Sequence, residues 1–342
     1  MAWPGKEGIL KDYPESLDRA TAEVSAIAGA VAHFQPVVMI VGNERPKEAG
    51  AHFANVRTPF SITLHRIEGA CMDLWMRDIA PILVAKDAPR GGRTLAGLDY
   101  NFNGWGGKAC TPTTAKFSQM FLGHMNIERI ETSIITEGGA LETDGDGTLL
   151  LTESSIVNNN RNPGQTREDI ENELRRTLGV EKIIWIPGRK GLDTTDCHID
   201  ALARFIRPGV VLLSRANESE ETDWTLVYKE AREILGRVTD AKGRRLEIVE
   251  VEEPKRWASQ PPSKGIDDIN GDSPVWSYVN YSLVNGGIIM PQFGHPEHDT
   301  EALKTVQRLF RNERKVSPVL IKELPLLGGG IHCATQEIPA FA

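Results

Sequence analysis

An alternation of two apolar periodicities, repeated from end to end, leaves this chain few folds to choose from. Leu17, Ala20, Val24, Ile27, Val31 and Phe34 recur at helical spacing after Pro14, and the β-branched run 37–41 follows at once and stops at Gly42. The same order, helix then strand, returns at 166–178 with 183–186, where Thr166 and Asp169 stand as cap and third residue and Gly179 as stop. It returns in 224–238 with 246–251, and from Asp299, read as an N-cap, through Leu303, Val306 and Phe310 to 318–321. The segment 113–122, leading to 127–130, is a weaker copy. Between these units the period drops to two, and 79–84 with 94–100, 139–142 with 148–152, 201–206 with 210–213, and 278–284 with 288–290 read as hairpins. Counted together, helix, strand and hairpin give about five similar units, which predicts an α/β protein built as a ring of modules.

A ring of this kind places hairpin starts near its axis, and the unusual polar residues stand there: Asp78, Glu137, His198, Asp200 and Asn280. Lys and Arg total 39 against 47 Asp and Glu, a net charge of −8 that suits a cationic small molecule and matches phosphates poorly, so nucleic-acid binding is not expected. No apolar run reaches the roughly 18 residues that a membrane span needs. Residues 1–9 lack the basic and apolar stretches of a signal peptide, so a cytoplasmic protein without membrane contact is the expectation. Cys71, Cys110, Cys197 and Cys333 form no CxxC pair and are too sparse for a disulfide framework, which predicts free thiols. The segment 254–274, with Pro254, Pro261, Pro262 and Pro274 and the acids Asp267, Asp268 and Asp272, has no periodicity and reads as a long loop, a candidate lid.

Three motifs bear chemistry. In Gly328-Gly329-Gly330-Ile331-His332-Cys333, glycines free the backbone to approach a ligand closely or to take positive φ just before a thiol, the way a nucleophile is brought to a pocket floor; a buried cysteine beside a Gly turn is the plainer alternative. In Asp196-Cys197-His198-Ile199-Asp200, His198 and Asp200 alternate onto one side of a strand and can address one site, or else a histidine satisfies a carboxylate at a strand end. In Asp73-Leu74-Trp75-Met76-Arg77-Asp78, Trp75 and Asp78 offer an aromatic wall and an anion, against the alternative of a solvated charge cluster. The acids at 144–147 fit a hairpin turn better than a calcium loop, and His295, Glu297 and His298 fit a helix entry better than a metal site.

Taken together, Trp-Met-Arg-Asp at 75–78, Glu-Gly-Gly at 137–139, Asn-Arg-Asn-Pro at 160–163, His-Ile-Asp at 198–200, Ser-Tyr-Val-Asn at 277–280 and the Gly-Gly-Gly-Ile-His-Cys-Ala-Thr-Gln run at 328–336 occur in the order and spacing of a known family. The chain resembles the agmatine deiminase and bacterial-type peptidylarginine deiminase family from Met1-Ala2-Trp3-Pro4 to Ile338-Pro339. The resemblance implies the pentein fold, a five-bladed α/β propeller with pseudo-fivefold symmetry, here as a single catalytic domain over 1–342. It implies Cys333 as nucleophile, His198 as general acid/base oriented by Glu137, Asp78 and Asp200 as carboxylates on a guanidinium, and Trp75 and Asn280 as pocket lining. It also implies conversion of agmatine to N-carbamoylputrescine and ammonia, a step of putrescine biosynthesis, with no cofactor and no metal. A homo-oligomer is compatible with it. Relatives acting on agmatine usually carry Gly before the catalytic His and an acid four before it, where this chain has Cys197 and Thr194, so the pocket for the substrate's far end is expected to differ around Thr194. Relatives commonly begin ahead of the Met-Ala-Trp-Pro stretch, so the start here is expected to be short. Rival readings are deimination of peptidyl or free arginine, amidino transfer to an amine, and a non-catalytic binding pentein. The joint presence of Cys333, His198, Asp78 and Asp200 argues against the last, since a scaffold needs none of them together.

Overall fold

Each hairpin of this chain takes a third strand from beyond the helix that follows it. The computed structural model describes residues 1–67, 73–88, 91–109, 114–216, 222–254, 274–310 and 313–340. After α1 (Leu17–Val31), β1 (Val37–Val41) takes β2 (Ile62–Arg66) in parallel across α2 (Pro46–Ala54), and Ala2 forms a parallel bridge to Ile40. Next, β3 (Ile82–Asp87) pairs antiparallel with β4 (Arg93–Asp99), and β5 (Glu128–Glu131) joins β4 in parallel after α3 (Phe117–Met125). The plan repeats with β6 (Glu142–Thr143), β7 (Thr148–Thr152), α4 (Arg167–Leu178) and β8 (Lys182–Ile186). It repeats with β9 (Ala203–Arg207), β10 (Val210–Arg215), α5 (Asp223–Leu235) and β11 (Glu247–Glu252), and again with β12 (Ser282–Val284), β13 (Gly287–Gln292), α6 (Pro296–Phe310) and β14 (Lys315–Leu320). Among the described residues these strands make five separate small sheets, and in four of them the second hairpin strand lies in the middle.

The middle strands read as continuous apolar runs because both of their faces are covered. Leu149, Leu150 and Leu151 of β7 are fully buried, as are Val211, Leu212 and Leu213 of β10 and Ile288, Ile289 and Met290 of β13. Each such side chain contributes about 1.5–3 kcal/mol on leaving water, enough to fix the register of its sheet. α4 begins at the expected capping box between Thr166 and Asp169 and ends at Gly179 in the left-handed conformation, φ 66°.

Two expectations about the repeating units are corrected. The unit drawn as 17–34 with 37–41 is out of frame: β1 pairs with β2 across α2 in a two-stranded sheet, with the Ala2 bridge to Ile40 beside it, so the helix and strand that go with it follow it in the chain. α1 packs instead against β13, β14 and the turn Glu323–Leu326, joining the two ends of the chain. α2 and β2 escape notice because they bury little: Ala49 is the buried residue of α2, and β2 is intermediate or exposed throughout. Nor is Asp299 an N-cap, since α6 starts at Pro296. Its buried carboxylate accepts from the Tyr278 hydroxyl at 2.7 Å and from the Phe293 and Gly294 amides at 3.0 and 2.9 Å.

The residues expected at the axis lie just ahead of the hairpins. The turns Met76–Ile79, Gly138–Ala140 and Ile199–Ala201 precede β3, β6 and β9 and touch one another in sequence. Asp200 therefore sits in a one-turn helix and His198 is the residue just before it, so neither stands on a strand. The segment 255–273, with its acids and its candidate lid, and Cys71 and Cys110 lie outside the described residues. Among the described residues no helix is long and apolar enough to cross a membrane.

Candidate active site

The glycine run ahead of Cys333 serves close packing by the protein's own side chains. Gly328 has φ 88°, while a Cβ on Gly329 would lie 2.3 Å from the Trp75 ring and one on Gly330 2.4 Å from Asn280 Oδ1. The same Asn280 Oδ1 accepts from the His332 amide at 3.0 Å, and Asn280 Nδ2 lies 3.3 Å from Cys333 Sγ. Trp75 and Asn280 thus clamp the turn that presents the half-buried thiol. Cys333 Sγ stands 3.7 Å from Asp200 Oδ2, which also meets His332 Nδ1 at 2.7 Å.

Two further modules bring carboxylates to the same point. Asp78 accepts from the Gly139 amide at 3.0 Å and from Trp105 Nε1 at 2.9 Å. His198 lies between acids, with Nε2 3.3 Å from Glu137 Oε2 and Nδ1 3.7 Å from Asp78 Oδ2. Gly139 fills the centre of the cluster: a Cβ there would meet His198 Nδ1 at 2.6 Å, Asp78 Oδ1 at 2.9 Å and Asp200 Oδ2 at 3.2 Å. All of Asp78, Glu137, His198, Asp200 and Asn280 are buried.

Behind His198 runs a chain of ion pairs. Arg161 Nε holds both Glu137 oxygens at 2.8 and 3.0 Å, and its Nη1 meets Asp196 Oδ2 at 2.7 Å; all three side chains are closed to solvent. Asp196 Oδ1 then meets Lys108 Nζ at 2.9 Å, and the same ammonium donates to the carbonyls of Asp193 and Thr194 at 3.2 and 2.9 Å.

Burial opposes charge everywhere in this cluster, and the outcome differs by neighbour. Burial disfavours the His198 imidazolium, but Asp78, Glu137 and Asp200 outweigh it and raise its pKa to about 9. Burial lifts Asp200 to about 6, with Asp78 adding to the lift and His198 opposing it. Asp78 is likewise pushed up by burial. Glu137 pays the same burial cost, yet Arg161 and His198 hold it below the usual carboxylate range. The Cys333 thiol is pushed well up by burial and by the two nearby acids, Asp200 and Asp78. His332 is held well below its ordinary value by burial and by Arg204 and Arg77, so it meets Asp200 as a neutral donor.

The structure therefore brings Cys333, His198, Glu137, Asp78, Asp200 and Asn280 together, with Trp75 packed against the nucleophile turn. Thr194 lies in the 193–196 turn, its carbonyl on Lys108. Asp193 and Asp196, the acids nearest Thr194 in the sequence, are engaged otherwise: Asp193 Oδ1 accepts from the Thr195 and Cys197 amides at 2.7 and 3.0 Å, and Asp196 is closed in by Arg161 and Lys108. Sequence reasoning missed Arg161, Trp105 and Lys108 as members of the site. Arg161 was visible inside the Asn-Arg-Asn-Pro motif, and Trp105 and Lys108 flank the two glycines of Gly104-Trp105-Gly106-Gly107-Lys108, a pattern that marks a tight loop. The rings of His295 and His298 lie 6.0 Å apart, and among the described residues no group of three or more His, Cys, Asp or Glu is placed to hold a metal ion.

Small sheets of one plan, with a thiol, an imidazole and carboxylates gathered at the turns between them, define a pentein. The chain belongs to the Porphyromonas-type peptidyl-arginine deiminase family, whose model matches residues 1–339. It is 32% identical over 359 residues to agmatine deiminase of Medicago truncatula, covering 100% of this chain and 94% of that one. It is 34% identical over 356 residues to agmatine deiminase of Pseudomonas aeruginosa, covering 99% and 92%. Among solved structures, the agmatine deiminase of Enterococcus faecalis superposes with TM-score 0.84 at 28% identity, over 98% of this chain and 91% of that chain.

Proposed function

We propose that this protein hydrolyses the guanidinium group of a small cationic substrate, agmatine before others, to N-carbamoylputrescine and ammonia, with residues 1–342 acting as one catalytic unit. The observation that carries the reading is the approach of the Cys333 thiol to Asp200, 3.7 Å away, beside Asp78 and His198 from two other turns. The names of the relatives, agmatine deiminases of similar length, support the choice of substrate.

Chemistry follows from charge. Without substrate, Asp78 and Asp200 repel a thiolate, so Cys333 keeps its proton. A guanidinium lying between the two carboxylates cancels their charge and offers bidentate partners. Its arrival lowers the cost of a thiolate, and the Cys333 proton passes to solvent as the cation binds. Sulfur attacks the central carbon, and the tetrahedral adduct collapses as a C–N bond breaks. His198, held protonated by its acid neighbours, gives its proton to the departing ammonia. The thiouronium that remains is attacked by water, from which the now neutral His198 takes a proton. The C–S bond breaks, releasing the ureido product and the thiol. Glu137, itself braced by Arg161, keeps the imidazole turned toward this exchange. A cytoplasmic setting fits, because the nucleophile must stay reduced.

The test is a panel of guanidino compounds assayed for ammonia and ureido product without added amine. Agmatine is expected to give the highest kcat/KM, and Cys333→Ala to abolish turnover while melting as the wild type does. Ureido product from none of the compounds, or an alanine variant retaining a tenth of the activity, would sink the reading. Product formed only with an acceptor amine would replace hydrolysis by transfer.

A further inference from the structure

The ion pairs behind His198 do not end in the protein's interior. They run Lys108, Asp196, Arg161, Glu137, His198, Asp78, alternating in sign, and the far member is partly open to solvent: the Lys108 side chain is 36% exposed while that of Asp196 is closed. The series also returns on itself. Trp105, three residues before Lys108 on the same loop, donates to Asp78 at 2.9 Å, so one short loop grips both ends. The loop is held as a unit: Asn103 Oδ1 accepts from Gly106 N at 2.8 Å, Asn103 Nδ2 donates to the Asn160 carbonyl at 2.9 Å, and Asn160 Nδ2 reaches Asp196 at 3.0 Å. Trp105 has φ 54°, a conformation that a non-glycine residue keeps only when its surroundings insist.

We propose that Lys108 is a positioning residue for His198, its ammonium seated in a niche made by the Asp193 and Thr194 carbonyls and the Asp196 carboxylate, and acting through Asp196, Arg161 and Glu137. Partners are shared along the series. Arg161 divides its guanidinium between Glu137 and Asp196, and Asp196 divides its charge between Arg161 and Lys108. With Lys108 in place, Asp196 is satisfied and Arg161 keeps both hydrogen bonds to Glu137, which limits what Glu137 offers His198. Without that ammonium, Arg161 is drawn toward Asp196 and Glu137 turns more of its charge to the imidazole. A positive charge is also gone from the neighbourhood. Both changes act in one direction: they favour the protonated imidazole and the protonated thiol. The charged and titratable groups around His198 are Asp78 ahead of β3, Glu137 ahead of β6, Asp200 in the turn that follows it, and His332 and Cys333 in the nucleophile turn; of these, Glu137 is the one that the ion pairs through Arg161 and Asp196 tie to Lys108.

The proposal rests on the assignment of His198 and Cys333 given above, and its test separates the two. Lys108→Met removes the charge at a partly exposed position. On the best guanidino substrate it is expected to lower kcat/KM about tenfold or more and to move both limbs of the pH profile to higher pH by about 0.3 units or more. In Lys108→Ala, which vacates the stem as well as the charge, ethylammonium chloride should restore at least about a third of the loss, whereas tetramethylammonium chloride, with no N–H to donate, should not. Alkylation of Cys333 by iodoacetamide, followed by peptide mass, reports the same upward shift without turnover. It therefore still answers if the wild type proves inactive on every guanidino compound, an outcome that would overturn the proposed function and not this linkage. Should the Met variant fail to melt cooperatively, Lys108→Gln, which keeps N–H donors and loses the charge, must show the shift. A variant within twofold of wild type with an unmoved profile overturns the proposal. So does a loss of rate with neither pH shift nor ethylammonium rescue, which would make Lys108 a brace for the loop alone.

Discussion

At Gly139 the site leaves no room for a methyl group. The Cβ of an alanine would fall 2.6 Å from His198 Nδ1 and 2.9 Å from Asp78 Oδ1, distances that real Cβ atoms do not adopt, so the imidazole and the carboxylate must part. A misplacement of about 1 Å at reacting groups costs on the order of a hundredfold in rate. Gly139→Ala is therefore expected to lose about that factor in kcat/KM with little change in melting temperature; activity within threefold of wild type would mean that these groups do not work at the separation seen. Charge recognition makes a second claim at this scale. Asp78→Asn and Asp200→Asn should each cost at least about 2 kcal/mol in transition-state stabilisation, since each leaves one partner of a buried charged pair alone. Near wild-type kcat/KM in both would show that the guanidinium lies elsewhere. Cys333, His198, Asp78, Asp200 and Glu137 were legible because each stands inside a short motif of residue types that chemistry needs. Arg161, although it too stands inside a motif, and Lys108 had no role readable from their neighbours, because what matters in them is a partner distant in sequence: Arg161 meets Glu137 across 24 positions and Lys108 meets Asp196 across 88.

The elements carry a tension of their own just before His198. Asp196 and Cys197 both have positive φ, 62° and 78°, and Cys197 is fully buried in an apolar cluster. Burial and backbone make opposite demands on position 197. If packing dominated, Cys197→Val, similar in size, would be milder than Cys197→Gly, which leaves a void. If the backbone dominates, a β-branched residue at φ 78° is the worse change and glycine the tolerated one. The left-handed pair is braced from outside, with the Cys197 amide on Asp193 Oδ1 and its carbonyl accepting from Thr152 Oγ1 at 2.5 Å, so the conformation cannot relax toward the side chain. Thermal melts should accordingly rank Cys197→Gly above Cys197→Val, with the Val variant at least about 1 kcal/mol less stable; the reverse order would show that packing sets this turn. Legibility at this scale followed burial in the same way. The hairpins and the helices α4, α5 and α6 announced themselves through apolar periods and turn residues, and α4 through its capping box as well. The first module was drawn one element out of frame because α1 has the stronger pattern and buries Ala20, Val24, Ile27, Ala28 and Val31, while α2 and β2, which complete the sheet of β1, expose most of theirs.

Across the whole molecule, stability and recognition compete for the same charges. Asp78, Asp200, Glu137 and His198 come from successive modules, so assembling the ring forces two like carboxylates toward one point before any cation is there to separate them. Asp200 shows the cost. Burial above all, with Asp78 adding to it, raises its pKa from the ordinary carboxylate value to about 6 on folding, so the folded state binds the proton more tightly than the unfolded chain does. For an acid shifted this way, the stabilising share is present at low pH and is lost as pH climbs through the interval up to about 6. His198, raised to about 9, keeps its charge throughout that interval and does not offset the loss. A guanidinium between the carboxylates removes the repulsion only where both are ionised. Ligand binding to the native state alone stabilises by RT ln(1 + [L]/Kd), about 2.7 kcal/mol at a hundred times Kd. The inactive Cys333→Ala variant, titrated with agmatine and followed by its melting temperature, should thus be stabilised more at pH 7.5 than at pH 5, and the ligand-free variant should lose stability over the same rise. An agmatine-induced shift that is equal at the two pH values, or larger at the lower one, would mean that the cation is not received by Asp200, and the charge logic of the site would have to be rebuilt around other acids.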